Sequence, residues 1–228
     1  MFNDNVQTQV IGTLHIKDKE TGETLVKKRN AIHPGNMAYV IASSLAGSSL
    51  SIVDLDVPPS INWMAFGNGG SSSTTTLSYR SPRISEIYDE LPYISSTSSL
   101  YSKTYHQKTN NTVYFPGQDM GDGEIVPNRT SKINFRVEMS HDDYEAMQRE
   151  VNPNITTPLT DSSTDTTSVN AFTFDEIGLV AGFEQVANDN IELVEDKSLL
   201  VTHVTFHPVL LSANRTIVID YTITIQVS

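Results

Sequence analysis

Asp175 and Glu176 are adjacent acidic residues in an apolar stretch of the sequence. Two carboxylates perform general acid and base chemistry when they face each other across a substrate. On a regular strand, neighbouring side chains point to opposite faces, and no turn or bulge is signalled here. The pair is therefore not expected to be catalytic. Two interpretations remain: Glu176 caps nearby backbone, or the pair meets a cation on a neighbouring molecule.

A second candidate is the glycine-rich stretch Gly67-Asn68-Gly69-Gly70, which follows an apolar strand ending at Phe66. A phosphate-binding loop needs Lys and Ser or Thr after its glycines and then a helix. Only hydroxyl residues follow here, and no helix is indicated. A tight turn with positive φ is the favoured interpretation. The candidate interface or turn residues are Phe66, Gly67, Asn68, Gly69, Gly70, Asp175 and Glu176.

Three acidic residues near the middle of the chain, Asp119, Asp122 and Glu124, offer oxygen ligands to Ca²⁺. Their spacing does not match the twelve-residue calcium loop, and a solvated turn is favoured. The run from His141 to Asp143 is placed at a helix start, where carboxylates complement the helix dipole. The sequence therefore predicts no metal site here.

The remaining motifs also point away from catalysis. His203 and His207 lie four residues apart, but without the His-Glu-x-x-His pattern of zinc proteases. The Gly-x-Ser-x-Gly elbow of serine hydrolases is missing from the sequence. We therefore expect no catalytic residue, no cofactor and no enzymatic activity.

The clearest structural signal is the stretch from Ile217 to Val227, in which apolar and polar residues alternate almost without exception. This period of two predicts a strand with one buried face and one solvated face. Further strands are predicted at 8–17, from Leu25 onward after a turn at Gly22, and at 63–66, 131–139, 171–179 and 199–206. The stretch 199–227 is expected to form an antiparallel hairpin.

Helical spacing occurs in two places. Met37, Val40, Ile41 and Leu45 form an apolar stripe in a helix that starts near Pro34 and stops at Gly47. A second helix is predicted at about 141–150, after a capping box formed by Ser140 and Asp143. Loops are predicted at 71–76, 156–170 and 180–190, and irregular or edge strands at 91–117. The predicted fold is mainly β: a single domain, 1–228, forming an antiparallel β-sandwich with one or two short helices, long polar loops and an extended arm at about 71–130.

Composition narrows the functional classes. The 228 residues carry a formal charge of -12 and include no cysteine, so disulfide scaffolds and thiolate metal sites are excluded. No basic stripe is visible in the sequence, and direct nucleic-acid binding is not expected. No apolar run approaches the roughly 20 residues of a membrane span. No signal peptide is recognised, and we expect a soluble protein made in the cytoplasm.

Several blocks resemble virion structural proteins of tailed bacteriophages. The first block comprises the segments 12–18, 21–25 and 29–37, which read GTLHIKD, TGETL and RNAIHPGNM. Two later blocks are MAFGNGG at 64–70 and FDEIGL at 174–179, and the closing hairpin is also similar. The stretches 91–130 and 152–170 have no counterpart. The resemblance implies a particle component in or near the tail, neck or baseplate, with no enzymatic activity.

The functional expectation is therefore a structural subunit that acts through contacts with other copies of itself in a ring and with neighbouring virion proteins. It would be made in the host bacterial cytoplasm and reside in the virion. One alternative is a capsid decoration protein. Another is a glycan-binding adhesin or fibre-attachment module that uses Tyr93, Tyr101 and Tyr105 as stacking platforms, although packing on sheet faces is the favoured role for these rings.

Overall fold

The computed structural model describes residues 7–47, 60–73, 77–83, 100–121, 123–140, 171–182, 184–187, 190–193, 198–212 and 215–228. The helix α1 spans Pro34–Ala46. The strands in chain order are β1 (Thr8–Asp18), β2 (Thr24–Arg29), β3 (Ala31–Ile32), β4 (Ser60–Gly67), β5 (Ser71–Ser73), β6 (Leu77–Tyr79), β7 (Lys103–Lys108), β8 (Asn110–Tyr114), β9 (Thr130–Met139), β10 (Ala171–Gly182), β11 (Glu184–Ala187), β12 (Asn190–Leu193), β13 (Leu199–Leu200), β14 (Thr202–Ser212) and β15 (Ile217–Val227).

Two antiparallel sheets pack against each other, which confirms the predicted mainly β, sandwich-like fold. The first sheet has the strand order β2-β1-β15-β9-β8. The second has the order β3-β14-β10-β4-β7, and β13 pairs with β10 beside this path. Two small hairpins, β5-β6 and β11-β12, complete the strand pairing of the described residues.

The last strand, β15, is the centre of the first sheet. It pairs with β1 on one side and with β9 on the other over nearly its whole length. Its inward residues Ile217, Ile219, Tyr221 and Ile223 are at most 1% exposed. They meet Phe66, Phe174 and Phe206 of the second sheet in one core cluster. The alternation read from the sequence therefore identifies both the strand and its buried face.

The predicted hairpin of 199–227 is wrong, because β14 and β15 belong to different sheets. β14 pairs with β10 and β3, whereas β15 pairs with β1 and β9. The inward side chains of the two strands face each other across the core instead of lying side by side. Period-two alternation shows which face is buried, but it does not show which strand is the neighbour.

The helix α1 begins and ends as predicted. His33 caps its first turn, since its Nδ1 accepts a hydrogen bond from the N–H of Asn36 at 3.1 Å. Gly47 ends it in the left-handed region at φ 64°. The predicted stripe is wrong at Leu45, which is 85% exposed, because the buried side runs through Asn36, Met37, Tyr39, Val40 and Ser43. No helix in the described ranges is long and apolar enough to cross a membrane.

Two predicted loops contain strands. Residues 180–190 include the end of β10 and the strand β11, which pairs with β12. Within 71–76, the serines 71–73 form β5 and pair with β6. Both small hairpins are held by backbone pairing without an apolar alternation that the sequence could reveal. The edge strands expected within 91–117 are confirmed as β7 and β8, whereas the predicted helix at 141–150 and the loop at 156–170 lie outside the described residues.

Candidate functional site

The acidic pair lies in the middle of β10, at a shift in register against β14. Phe174 pairs with Val209 and Glu176 with Thr205, so Asp175 alone stands opposite the three β14 residues 206–208. The sequence predicts a regular strand here, whereas an irregular register re-aims the side chains around it. Both carboxylates instead bind the turn that follows β4. Asp175, Glu176 and their partner His203 are called the buried polar cluster below.

Glu176 is fully buried and accepts four hydrogen bonds. Its Oε1 accepts from the N–H of Gly69 at 3.2 Å and of Ser102 at 2.7 Å. Its Oε2 accepts from the N–H of Tyr101 at 2.9 Å and from Nε2 of His203 at 2.9 Å. Burial acts to raise the pKa of Glu176, but the bonds from His203 and the backbone amides outweigh it and hold the pKa below its usual value.

Asp175 is 1% exposed and holds the next two residues of the same turn. Its Oδ1 accepts from the N–H of Gly70 at 2.7 Å, and its Oδ2 accepts from the N–H of Ser71 at 2.8 Å and from the Ser71 hydroxyl. Burial raises the pKa of Asp175 above its usual value, although these hydrogen bonds act in the opposite direction. The environments of the two neighbouring carboxylates therefore shift their pKa values in opposite directions.

His203 joins the cluster to a third segment of the chain. It is fully buried, and its Nδ1 accepts a hydrogen bond from the N–H of Arg83 at 2.9 Å. A nitrogen that accepts carries no proton, so Nε2 carries the ring proton and donates it to Glu176. Two residues further along β14, the hydroxyl of Thr205 donates to the carbonyl oxygen of Arg80 at 2.9 Å.

Tyr101 completes the connection between segments 80–83 and 100–102. The guanidinium groups of Arg80 and Arg83 lie 4.9 Å and 4.4 Å from its ring centroid, and its hydroxyl donates to the carbonyl oxygen of Ser81 at 2.6 Å. Segments 80–83 and 100–102 therefore lie side by side. Cation–π contacts of this kind favour a fixed ring position.

The tyrosines considered as glycan platforms are engaged within the fold where the structure describes them. Tyr101 carries the two guanidinium groups, and Tyr105 stacks on Phe66 with 5.7 Å between ring centroids. Tyr93 lies outside the described residues. Tyr105 therefore packs on a sheet, which is the role favoured from the sequence, whereas Tyr101 lies in a turn.

The glycines of the turn are required by space. A Cβ on Gly67 would collide with Oε1 of Glu176 and would lie 2.5 Å from the carbonyl oxygen of Ser102. On Gly70 it would lie 2.6 Å from the carbonyl oxygen of Asp175. The predicted positive φ is wrong for this turn, because the left-handed glycines of the described chain lie elsewhere, as at Gly22. Close backbone approach is the reason for glycine here.

The structure brings the two groups of candidate residues into one site. Phe66, Gly67 and Glu176 are buried, and the N–H of Asn68 donates to the carbonyl oxygen of Ser102 at 3.1 Å. Of the two interpretations for Glu176, the structure shows the capping of nearby backbone. Its carboxylate is enclosed within its own chain and is not presented to a cation on a neighbour.

The other acidic and histidine candidates lie apart from this site. Asp119 caps its own turn by accepting from the N–H groups of Gly121 and Gly123 at 2.8 Å and 3.2 Å. His207 is exposed, unlike His203. Asp122 and the run from His141 to Asp143 lie outside the described residues. In the part of the chain that is described, no three metal-binding side chains converge.

Sequence reasoning missed two partners of the cluster, Ser71 and Arg83, and the role of His203. Their contacts span 104, 120 and 27 residues of sequence, so no local motif announces them. Chemically, the cluster can fix backbone from three segments against β10, since its oxygen and nitrogen acceptors are occupied by groups of the same chain. None of the protein-family models, curated proteins or solved structures compared with the chain matches it.

Proposed function

We propose that this chain is a non-enzymatic structural subunit of a bacteriophage particle, placed in the tail, neck or baseplate. It would act through contacts with copies of itself and with neighbouring virion proteins. The assignment to a phage particle rests on the resemblance of its glycine turn, its acidic block and its N-terminal blocks to virion proteins. The geometry of the buried polar cluster supports the structural role.

The observation that carries this proposal is the full use of the cluster by its own chain. Glu176 and His203 are 0% exposed and Asp175 is 1% exposed. A catalytic carboxylate or imidazole needs a free position within reach of a substrate. Here the carboxylate oxygens accept from backbone amides, from Ser71 and from His203, and the second imidazole nitrogen accepts from Arg83. Such a cluster fixes the framework on which contact surfaces are displayed.

Purified particles from the phage or lysogen that carries the gene provide the test. Quantitative mass spectrometry should find the chain at a fixed number of copies per particle, and immunogold labelling should mark the tail, neck or baseplate. Label spread over the head would replace the proposal by a capsid decoration protein. A chain found in infected cells but missing from particles would overturn the structural role.

A further inference from the structure

A basic patch lies on the outward face of the five-stranded sheet. Lys17, Lys27 and Arg29 surround His15 there, and these three cations with His15 are called the basic patch. Lys27 lies directly opposite His15 and Arg29 lies opposite Thr13 across the β1-β2 pair. Opposed residues and residues two apart on a strand share one face of the sheet. The inward residues Leu14 and Ile16 between them are fully buried, so the patch faces away from the core.

Three acidic residues near the patch are already paired with other cations. Asp220 holds Arg136 through two hydrogen bonds of 2.8 Å and 2.9 Å, Glu138 holds Lys19 at 2.6 Å, and Asp18 holds Arg215 at 2.8 Å. Lys17, Lys27 and Arg29 form no ion pair with any carboxylate of the described chain. The patch therefore carries three positive charges without a carboxylate partner of their own.

The positive potential acts on the one titratable ring inside the patch. The pKa of His15 lies below its usual value because of burial and because of the charges on Lys17 and Lys27, whereas Asp220 acts in the opposite direction. Like charges on adjacent strands destabilise a sheet. An acidic surface placed over the patch would relieve this repulsion.

We infer that the basic patch docks on an acidic surface of a second copy of this chain. This inference rests on the proposed role as an assembly subunit. The whole chain has a formal charge of -12, so setting aside the three patch cations leaves -15 on the remainder. The remainder of a second copy is therefore strongly acidic, and its charge is opposite in sign to that of the patch. The contact joins different surfaces of the two copies, and such head-to-tail contacts form a ring when the rotation closes.

Nucleic acid is the competing occupant of a basic surface. Binding that depends on phosphate contacts commonly uses about six to ten of them. The patch offers only three cations, Lys17, Lys27 and Arg29, which is fewer than such binding uses. The observations favour an acidic protein surface, and nucleic acid becomes an outcome of the test.

The experiment compares three forms of the full chain by analytical ultracentrifugation. They are the wild type, the patch variant K17E/K27E/R29E and the control K103E/K108E/R129E, which makes the same charge change at exposed cations elsewhere. Each is measured at about 0.1 M and about 1 M salt, between which the Debye length falls from about 10 Å to about 3 Å. Thermal melts first establish that all three are folded.

The wild type and the control should form oligomers at the lower salt concentration that dissociate at the higher one, and the patch variant should be monomeric at both. The patch variant keeps its acidic surface. Added in small amounts, it should therefore bind one wild-type neighbour and stop further growth, which shifts wild-type oligomers to smaller sizes.

Equal oligomers from the patch variant and the wild type would overturn the patch but leave the assembly role intact. A wild type that stays monomeric at both salt concentrations would also overturn the patch, while particle composition would still decide the assembly role. A fluorescent single-stranded DNA that binds the monomeric wild type, but not the patch variant, would assign the patch to nucleic acid instead.

Discussion

Glu176 and His203 form a fully buried hydrogen bond of 2.9 Å between Oε2 and Nε2. This bond joins β10 to β14. Each partner also accepts hydrogen bonds from backbone N–H groups outside these two strands. Glu176 binds the backbone at residues 69, 101 and 102, and His203 binds the backbone at residue 83. One residue pair therefore links five parts of the chain: two strands and three further segments.

Replacing Glu176 by Gln should cost about 3 kcal/mol of unfolding free energy, because a buried carboxylate that accepts four hydrogen bonds is lost. Gln keeps the size of the side chain, but it has one acceptor oxygen where Glu176 has two. Its NH₂ group would face N–H donors that now donate to the carboxylate. Urea denaturation measures the loss. Glu184→Gln is the control, since its exposed ion pair with Lys108 should contribute less than about 1 kcal/mol. Similar losses for both variants would contradict the account of Glu176.

The turn glycines give a second prediction, based on space. Gly67→Ala should destabilise by more than about 2 kcal/mol, because the new Cβ meets Glu176 and the backbone of Ser102. Gly22→Ala should cost only about 1 kcal/mol, since Gly22 has φ +72° but nothing within 4 Å of a Cβ. Thermal and urea unfolding of both variants compare the two costs. A larger loss at Gly22 would show that backbone conformation, and not the close contact, makes glycine necessary.

The hydroxyl of Tyr221 gives a third prediction. Tyr221 is fully buried, its hydroxyl accepts a hydrogen bond from Nδ2 of Asn30, and burial raises its pKa. Tyr221→Phe should cost about 1 to 3 kcal/mol, because the Asn30 amide is left without this acceptor. The exposed Tyr79 is the matched control, and Tyr79→Phe should stay within about 0.5 kcal/mol of wild type. Urea denaturation measures both variants. A Tyr221→Phe variant with the same urea midpoint as the wild type would contradict the importance of this bond.

Acid should weaken the fold between about pH 4.5 and about pH 2. Hydrogen bonds from the backbone at Thr21 and from Arg215 lower the pKa of Asp18 from 3.8 to about 2, and the pKa values of Glu176 and Asp220 are also lowered. Carboxylates of this kind contribute stability that is complete above their unfolded pKa and is lost as the pH falls through the folded pKa. Asp175, whose pKa is raised, contributes with the opposite sign, one group against three.

Urea midpoints measured across this range test the acid prediction. The midpoint should be level from neutral pH down to about pH 4.5 and then fall. Asp18→Asn should start lower and lose less on acidification, because the lowered group is gone. A midpoint that rises on acidification would mean that Asp175 outweighs the other three carboxylates.

The sequence is sufficient for the strands whose two faces differ. Ile217 to Val227 alternates cleanly because one side of β15 is core and the other is solvent. The same alternation is silent about neighbours, and the supposed hairpin of β14 and β15 is for that reason two strands in opposite sheets. The stretch from Ser71 to Ser73 has no apolar pattern, so its pairing with β6 cannot be predicted from the sequence. The hydrogen bond from Ser71 to Asp175 has no local sequence signal either.

The sequence identifies some residues of the candidate site but not their arrangement. Asp175, Glu176 and the glycine turn stand out individually by residue type. Their relation depends on the shift in register between β10 and β14 and on contacts that span 74 to 107 residues, neither of which leaves a local signature. The basic patch is a further example, since Lys17, Lys27 and Arg29 are dispersed in sequence and meet only through the β1-β2 register.

The central claim is that this chain is a repeated structural part of a phage particle, and cryo-electron microscopy of the intact particle tests it most directly. The account predicts a ring of copies in the tail, neck or baseplate whose density fits the two-sheet fold, with the buried polar cluster inside each subunit. A particle map without density for this fold would contradict the claim. Density only for isolated copies, each bound to a small molecule, would contradict it as well.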